Sequence, residues 1–470
     1  MTVPELWTLI PLFIIAGGAL LVLLCGAVAP GGYTTAIAIA AAIGAAVCAL
    51  RTFPGEGSAM GIVFSPFARF FIILFAVTAV ATLLLSHDFN KREGISGEEY
   101  PATVLFALFG MMVLACAVNL LTLFLGLESL SFAFYILVAI DRNRHSSAEA
   151  GLKYLLLGAI AAAFTAFGIA LIYTGSGTLD ITPAIVGTVT PSGKNDPVVM
   201  AGWGFLLIGL AFKVSLVPVH LWTPDVYQGG PTPVIAFLST ASKGAAFAAL
   251  LILLRGASGP GFLRTPLWWL SLLSMAVGNL AALRQDNLKR MLAYSAIAQM
   301  GYVSLAFLTG SREGFAAVVL YMVVYTAMNL AAFGAIASLT GTELRMEDVA
   351  DYRGLGYRRP LQGGILALAM LALAGVPPTA GFVGKFFIFY AAIRGNELPL
   401  ALFGIITAAV SVYYYLRVIV NLYMHPSEAA LDPRSASPPE AAALTVAALA
   451  IIILGIWPQP LLGLIDTVLK

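Results

Sequence analysis

Charged side chains are scarce in this sequence. Only 10% of its 470 residues are Asp, Glu, Lys or Arg, whereas soluble domains carry about 25%. So few charges cannot cover a water-facing surface, which excludes a soluble globular protein. The formal net charge is +2, so no strongly basic surface is available to bind nucleic acid.

Motifs for metals and cofactors are also missing. The three cysteines, Cys25, Cys48 and Cys116, lie in apolar runs. None forms a C-x-x-C pair or has a histidine at metal-ligand spacing, which argues against a disulfide scaffold, an iron–sulfur cluster or a zinc site. No dinucleotide-binding, Walker, zinc-protease or haem-attachment sequence occurs. We therefore expect no cofactor and no metal on this chain, and any redox chemistry or ATP hydrolysis on another chain.

Apolar residues are abundant, at 60% of the chain. Apolar runs of about 17–25 residues mark transmembrane helices, which predicts an all-α polytopic membrane protein. Fourteen such runs occur, near residues 7–29, 33–50, 66–86, 101–118, 120–140, 152–174, 198–220, 231–254, 266–283, 289–309, 314–340, 361–393, 400–424 and 441–463.

The loop lysines and arginines indicate an orientation. With the fourteen spans in order, more of these residues fall on the side opposite the two termini. Cytoplasmic loops carry the excess of Lys and Arg. The sequence thus predicts both termini on the non-cytoplasmic side of a bacterial inner membrane.

A weak internal repeat divides the chain into four parts. Residues 1–100 hold three spans, residues 101–255 a first unit of five, residues 266–424 a second unit of five, and residues 425–470 the last span. An odd number of spans per unit forces the copies into opposite orientation. The fourth span of each unit is broken by proline, at Pro218 and at Pro377 and Pro378. Paired breaks in two halves point to transport sites in secondary transporters.

Four charged residues lie near the middle of apolar runs: Glu128, Lys213, Lys243 and Lys385. A charge at this depth costs about 2.5–3.5 kcal/mol on insertion scales. Lys213 and Lys243 are each more than about 15 Å from both ends of their helices, too far for a lysine stem to reach water. We expect Glu128 to pair with Lys213, and Lys243 and Lys385 to carry a proton onward through trapped water. The alternative is a set of fixed ion pairs that hold helices together.

Three further residues are open to two interpretations each. Lys153 opens a span beside Glu149 and either extends to the membrane interface or joins the relay. Lys289 starts a span next to Arg290 and is either a topology charge or a relay member. His220 follows the Pro218 break and either relays protons or caps the carbonyls that the break frees.

Several segments resemble the antiporter-like membrane subunits of respiratory complex I. They are residues 119–130 (NLLTLFLGLESL), 211–226 (AFKVSLVPVHLWTPDV) and 286–300 (DNLKRMLAYSAIAQM). Mrp-type sodium/proton antiporters and membrane-bound hydrogenases share these motifs. Residues 149–158 (EAGLKYLLLG), the lysine within residues 376–387 (VPPTAGFVGKFF) and the end of the chain soon after the fourteenth run resemble the N-type subunits in particular.

The resemblance implies roles for matching positions. Glu128 and Lys213 match the coupling pair of the first half-channel, Lys243 the central lysine, Lys385 the exit-side residue, and Lys153 an extra lysine of the N-type subunits. The second unit has no counterpart to Glu128 around Gln299, so its mechanism is expected to differ.

The resemblance also implies a proton-translocating subunit of an NADH:quinone oxidoreductase. Flavin, iron–sulfur clusters and quinone are then expected on partner subunits. The M subunit and the small helical subunits are the expected neighbours. Two alternatives stay open: an Mrp-type sodium/proton antiporter subunit, and a structural membrane subunit.

Overall fold

The chain is helical throughout the part that the structure describes. The computed structural model describes residues 9–29, 31–51, 61–95, 97–188, 196–254, 261–340, 346–426 and 436–469. Within these ranges β-structure is limited to isolated bridges. Eleven helices in these described ranges are long and apolar enough to cross a membrane. The predicted all-α polytopic class is confirmed, and the count of fourteen spans stays a prediction.

The described residues include eighteen helices of six or more residues. They are α1 Ile10–Val28, α2 Tyr33–Arg51, α3 Pro66–Glu93, α4 Glu99–Ala115, α5 Leu120–Val138, α6 His145–Ser176, α7 Ile181–Val186, α8 Pro197–Val214, α9 Trp222–Gly229, α10 Thr232–Leu254, α11 Arg264–Leu283, α12 Leu288–Phe307, α13 Arg312–Leu339, α14 Pro360–Ala374, α15 Ala380–Arg394, α16 Leu398–Met424, α17 Pro438–Ile456 and α18 Gln459–Val468.

Both proline-containing spans are broken. Helix α8 ends where Ser215 adopts a left-handed conformation (φ 71°), and α14 ends at Gly375 (φ 87°). A left-handed residue stops a helix and frees its last carbonyls. The chain resumes as α9 in the first unit and as α15 in the second. The run 361–393, which reads as one span in the sequence, is therefore two helices.

The first two helices of each unit are arranged alike. Asn119 caps α5 and forms a backbone bridge with Asp180, and Asn287 caps α12 and bridges to Asp348. A glycine lies the same number of residues before each of these asparagines. A Cβ at Gly110 would lie 2.4 Å from Leu130 N, and one at Gly278 would lie 2.5 Å from Ala298 N. These matches favour a repeat, although its inversion and its boundaries stay predictions.

Two helices lie at the centre of the bundle. In both α10 and α13, 89% of the residues in an apolar stretch of 18 are buried. Peripheral helices instead expose large apolar side chains, such as Phe13 and Leu24 on α1 and Ile406 on α16. An outward-facing apolar surface is what a lipid environment requires. The central position of α10 places Lys243 between the two units.

Candidate functional site

Lys213 joins three helices of the first unit. It lies in the last turn of α8 and is buried. Its Nζ atom donates to Ser131 Oγ on α5 at 2.9 Å and to Tyr154 OH on α6 at 3.0 Å. Both acceptors are neutral hydroxyl oxygens.

Glu128 lies on α5, one turn before Ser131, and is half-buried. Its charge and that of Lys213 are close enough to interact. No ion pair within 4.0 Å joins the two residues in the described ranges, and the hydrogen bonds of the Lys213 amine go to hydroxyl groups. Residues three apart share one helix face, and the lysine contacts that face at the level of Ser131.

Tyr154 is held by aromatic packing. Its ring stacks on Trp222 of α9, with centroids 4.4 Å apart, and meets Tyr135 edge-on at 4.8 Å. Trp222 Nε1 donates to the carbonyl of Phe212 at 2.9 Å. The second half of the broken helix thus fixes both the tyrosine that contacts Lys213 and a carbonyl freed by the break.

Replacing Tyr154 by phenylalanine tests this contact. The change keeps the stacked ring and removes one acceptor from the Lys213 amine. A hydrogen bond to a charged group contributes about 1.5–3 kcal/mol, so we expect proton translocation per assembled complex to fall about tenfold. Tyr173→Phe, an exposed position on the same helix, is the matched control. Equal rates in both variants would show that this hydrogen bond has no part in transport.

Lys243 lies at the break of the first unit. It is fully buried, and its Nζ donates to Val214 O at 3.1 Å and to Ser215 Oγ at 2.9 Å. Within α10 it directly follows a π-helical turn, Leu238–Ser242. Such turns insert an extra residue and are frequent at functional sites. Lys243 thus caps the broken end of the helix that carries Lys213.

His220 contacts the break through the backbone of Pro218, whereas the last carbonyls of α8 are bonded by other residues. Val214 O is bonded by Lys243 and Phe212 O by Trp222. His220 is buried in the turn between the two half-helices, and its Nδ1 atom has no hydrogen-bond partner among the described residues.

Lys385 caps the break of the second unit. It lies on α15, and its Nζ donates to Leu373 O at 2.8 Å and to Ala374 O at 3.1 Å. Gln299 Nε2 on α12 donates to the same Leu373 carbonyl at 3.1 Å. The lysine that caps the first break lies on α10, in the span after the broken one. Lys385 instead lies on α15, the second half of the broken span itself, so the two units differ.

A row of tyrosines lies between Lys243 and Lys385. Lys243 Nζ is 5.9 Å from the Tyr227 ring centroid, and Tyr227 interacts electrostatically with Tyr325. The Tyr325 ring stacks on Tyr321 at 6.1 Å, and Tyr321 OH donates to Gln299 Oε1. Polar groups therefore follow one another from the first cap to the second.

The three mid-membrane lysines share one arrangement. Lys213, Lys243 and Lys385 are buried, and each donates to two neutral oxygen atoms. No ion pair involving them occurs within the described ranges. An ammonium group has three N–H donors. Loss of one proton would therefore leave both hydrogen bonds in place.

The remaining lysine candidates lie toward one end of the bundle. Lys153, with a side chain 45% exposed, pairs with Glu149 and Asp225, both at 2.8 Å. Lys289 is buried and donates to Gly230 O at 3.0 Å. Lys289 is thus held inside the protein. In the described part of the chain, no group of His, Cys, Asp or Glu suits a metal ion.

Several contact residues are not predicted from the sequence. Ser131 and Tyr154 lie near predicted site residues, and the i, i+3 spacing of Ser131 from Glu128 is a signal that could have identified it. Trp222 and Asp225 fall within the 211–226 segment. Arg290, beside Lys289, gives no sequence signal for a contact across the two units.

A family model described as "NADH:quinone oxidoreductase/Mrp antiporter, TM" matches residues 117–411. The chain is 67% identical to the NADH-quinone oxidoreductase subunit N of Geotalea uraniireducens, over 100% of both chains. These matches cover all the candidate residues named above.

Solved structures give the same result for the fold. The chain is similar to one in respiratory complex I from Thermus thermophilus with bound aureothin, with a TM-score of 0.83, 35% identity, and 96% and 98% of the two chains covered. It also matches a chain of the Mrp complex from Dietzia, with a TM-score of 0.85, 21% identity, and 100% and 97% coverage. At that identity the Mrp match shows the fold alone.

Proposed function

Because this chain belongs to the antiporter-like membrane subunits of NADH-quinone oxidoreductase, we propose that it moves protons across the membrane through a relay of buried lysines. The relay comprises Glu128, Lys213, Lys243 and Lys385. Lys153 and Lys289 lie at its access side.

The observation that carries this proposal is the surroundings of the three lysines. Fixed ion pairs would give each ammonium group a carboxylate partner, since unpaired buried charges are costly. The contacts of Lys213, Lys243 and Lys385 are hydroxyl and carbonyl oxygens instead. Such a lysine keeps its hydrogen bonds in both protonation states, as a proton carrier must.

The route follows the contacts. A change in the Glu128 field at Lys213 alters how strongly that amine holds its proton. Lys243 bonds the two residues that follow Lys213 in the chain. Beyond it, the buried hydroxyl of Tyr227 has no protein partner in the described residues, so it is free to bond water that would carry the proton toward Tyr321, Gln299 and Lys385.

Electron transfer would take place on partner subunits that hold flavin, iron–sulfur clusters and quinone. Its free energy would reach this chain as movements and fields that reset the Glu128–Lys213 interaction. The neighbours in this proposal are the M subunit and the small helical subunits of the membrane arm, in a bacterial inner membrane with both termini on the non-cytoplasmic side.

Glu128→Gln tests the relay against a structural role. The change preserves size and removes one charge. Glu128 takes part in none of the ion pairs of the described residues, so a purely structural residue would tolerate the change. We expect NADH-driven proton uptake by sealed vesicles, per assembled complex, to fall about tenfold, the effect of changing the proton affinity of Lys213 by about one pH unit.

The control is Glu313→Gln, an exposed position in the first turn of α13, which should pump at the wild-type rate. If Glu128→Gln also pumps at that rate, the carboxylate has no part in transport. Varying sodium in the same vesicles separates the Mrp-type alternative, because proton uptake that requires sodium would favour an antiporter.

A further inference from the structure

Asp225 on α9 binds two cations at once. Its Oδ2 accepts from Lys153 Nζ at 2.8 Å, and its Oδ1 accepts from Arg290 Nη1 at 2.6 Å. Arg290 also donates to Gln228 Oε1 at 3.0 Å. Both oxygens of the carboxylate are therefore bonded. About a third of each of the Asp225 and Arg290 side chains is exposed.

The two cations come from different units. Lys153 lies on α6 of the first unit, and Arg290 lies in the first turn of α12 in the second. Glu149 also pairs with Lys153, but it lies on the same helix four residues away and cannot connect the units. Asp225 is thus the carboxylate through which Lys153 is tied to the second unit.

The same three residues border a cavity. It has a volume of about 280 Å³, and its lining includes Glu149, Lys153, Asp225, Gln228, Arg290 and Glu347. A polar cavity of this size has room for several water molecules. Tyr154, next to Lys153 in the chain, bonds Lys213. Helix α6 therefore carries both a residue of this polar cavity and a direct contact of the first buried lysine.

We propose that Asp225 is a positioning residue for proton access to the relay. It holds the Lys153 ammonium group at this cavity and, through Arg290, links that position to helix α12 of the second unit. A shift of α12 would then draw Asp225 toward or away from Lys153 and change the access of protons to the first unit. This inference rests on the proposed function, because it concerns the supply of protons to the Lys213 relay.

Asp225→Asn in the whole complex removes the charge and keeps the size of the side chain. We expect NADH-driven proton uptake per assembled complex to fall about tenfold, the order of loss that one hydrogen bond to a charged group represents. Asp225→Glu restores the charge and should recover at least half of the rate. The matched control is Asp286→Asn. Asp286 lies just before α12, and its carboxylate pairs with Arg417 of α16.

A double substitution separates a link from two independent effects. If Arg290 acts through Asp225, the Asp225→Asn/Arg290→Gln complex pumps at the rate of the slower single variant. Multiplied losses in the double variant, wild-type pumping by Asp225→Asn, or loss of assembly in Asp225→Asn would each overturn the proposal. Wild-type pumping by Asp225→Asn together with a loss in Glu128→Gln would refute this inference and leave the relay standing.

Discussion

The Lys213→Ala complex is expected to lose NADH-driven proton translocation by about 100-fold, the effect of deleting a group that transfers protons. This corresponds to about 2.7 kcal/mol of barrier. Among the hydrogen bonds of the described residues, only those of Lys213 connect the end of α8 to the hydroxyl groups of Ser131 and Tyr154. Alanine removes the amine without replacing it, so the first unit loses its proton acceptor.

Lys213→Arg separates proton transfer from structure. The guanidinium group keeps the positive charge and can donate to the same two hydroxyl groups, but it does not release its proton in proteins. A structural lysine would be replaced adequately by arginine, whereas a relay lysine would not. We expect the Lys213→Arg complex to assemble and to pump as poorly as Lys213→Ala.

Assembly measured on native gels, beside proton uptake in sealed vesicles, completes this test. Lys91→Ala, an exposed lysine near the end of α3, is the control and should match the wild type in both measurements. Full pumping by Lys213→Arg would mean that only the charge matters at this position, and the relay would then fail there.

The buried lysines could be predicted from the sequence, because the free-energy cost of a charge within an apolar run depends only on the run itself. A lysine amid an apolar run, such as Lys213 or Lys385, must be explained whatever its neighbours are. The breaks were predictable for the same reason, since proline interrupts a helix wherever it stands. Composition and hydropathy thus determine the fold class and the candidate lysines.

The partners of those lysines were not predictable. Lys213 was expected to pair with Glu128, but it bonds Ser131, one turn away on the same helix face. A difference of one turn depends on how α5 and α8 pack together, which no local pattern encodes. The π-helical turn before Lys243 likewise depends on packing, because its sequence (LSTAS) gives no signal of its own.

Contacts between the two units were the hardest to predict from the sequence. Asp225 and Arg290 are 65 positions apart in the chain, and each is an ordinary charged residue near a helix end. Only the folded arrangement makes their pairing with Lys153 visible. The resemblance to a known family directs attention to the relay residues, but not to the contact that connects the units.

Lys243→Met is the second large effect that we expect. Methionine fills a similar space and removes the amine, so translocation should fall by about 100-fold. The carbonyl of Val214 would also lose its partner, at a cost of about 1–3 kcal/mol, and the rate is therefore measured per assembled complex. Ser242→Ala, the preceding buried residue, whose hydroxyl finds no partner among the described residues, controls for disturbance of α10.

Combining Lys243→Met with Lys213→Ala tests whether the two lysines act in series. Groups that work as one unit show strongly non-additive losses, because a relay stopped at its first step is not slowed further at its second. The double variant should pump at the rate of the slower single variant. A product of the two losses would instead mean that the two lysines act independently on the transport rate, and the series relay would then fail.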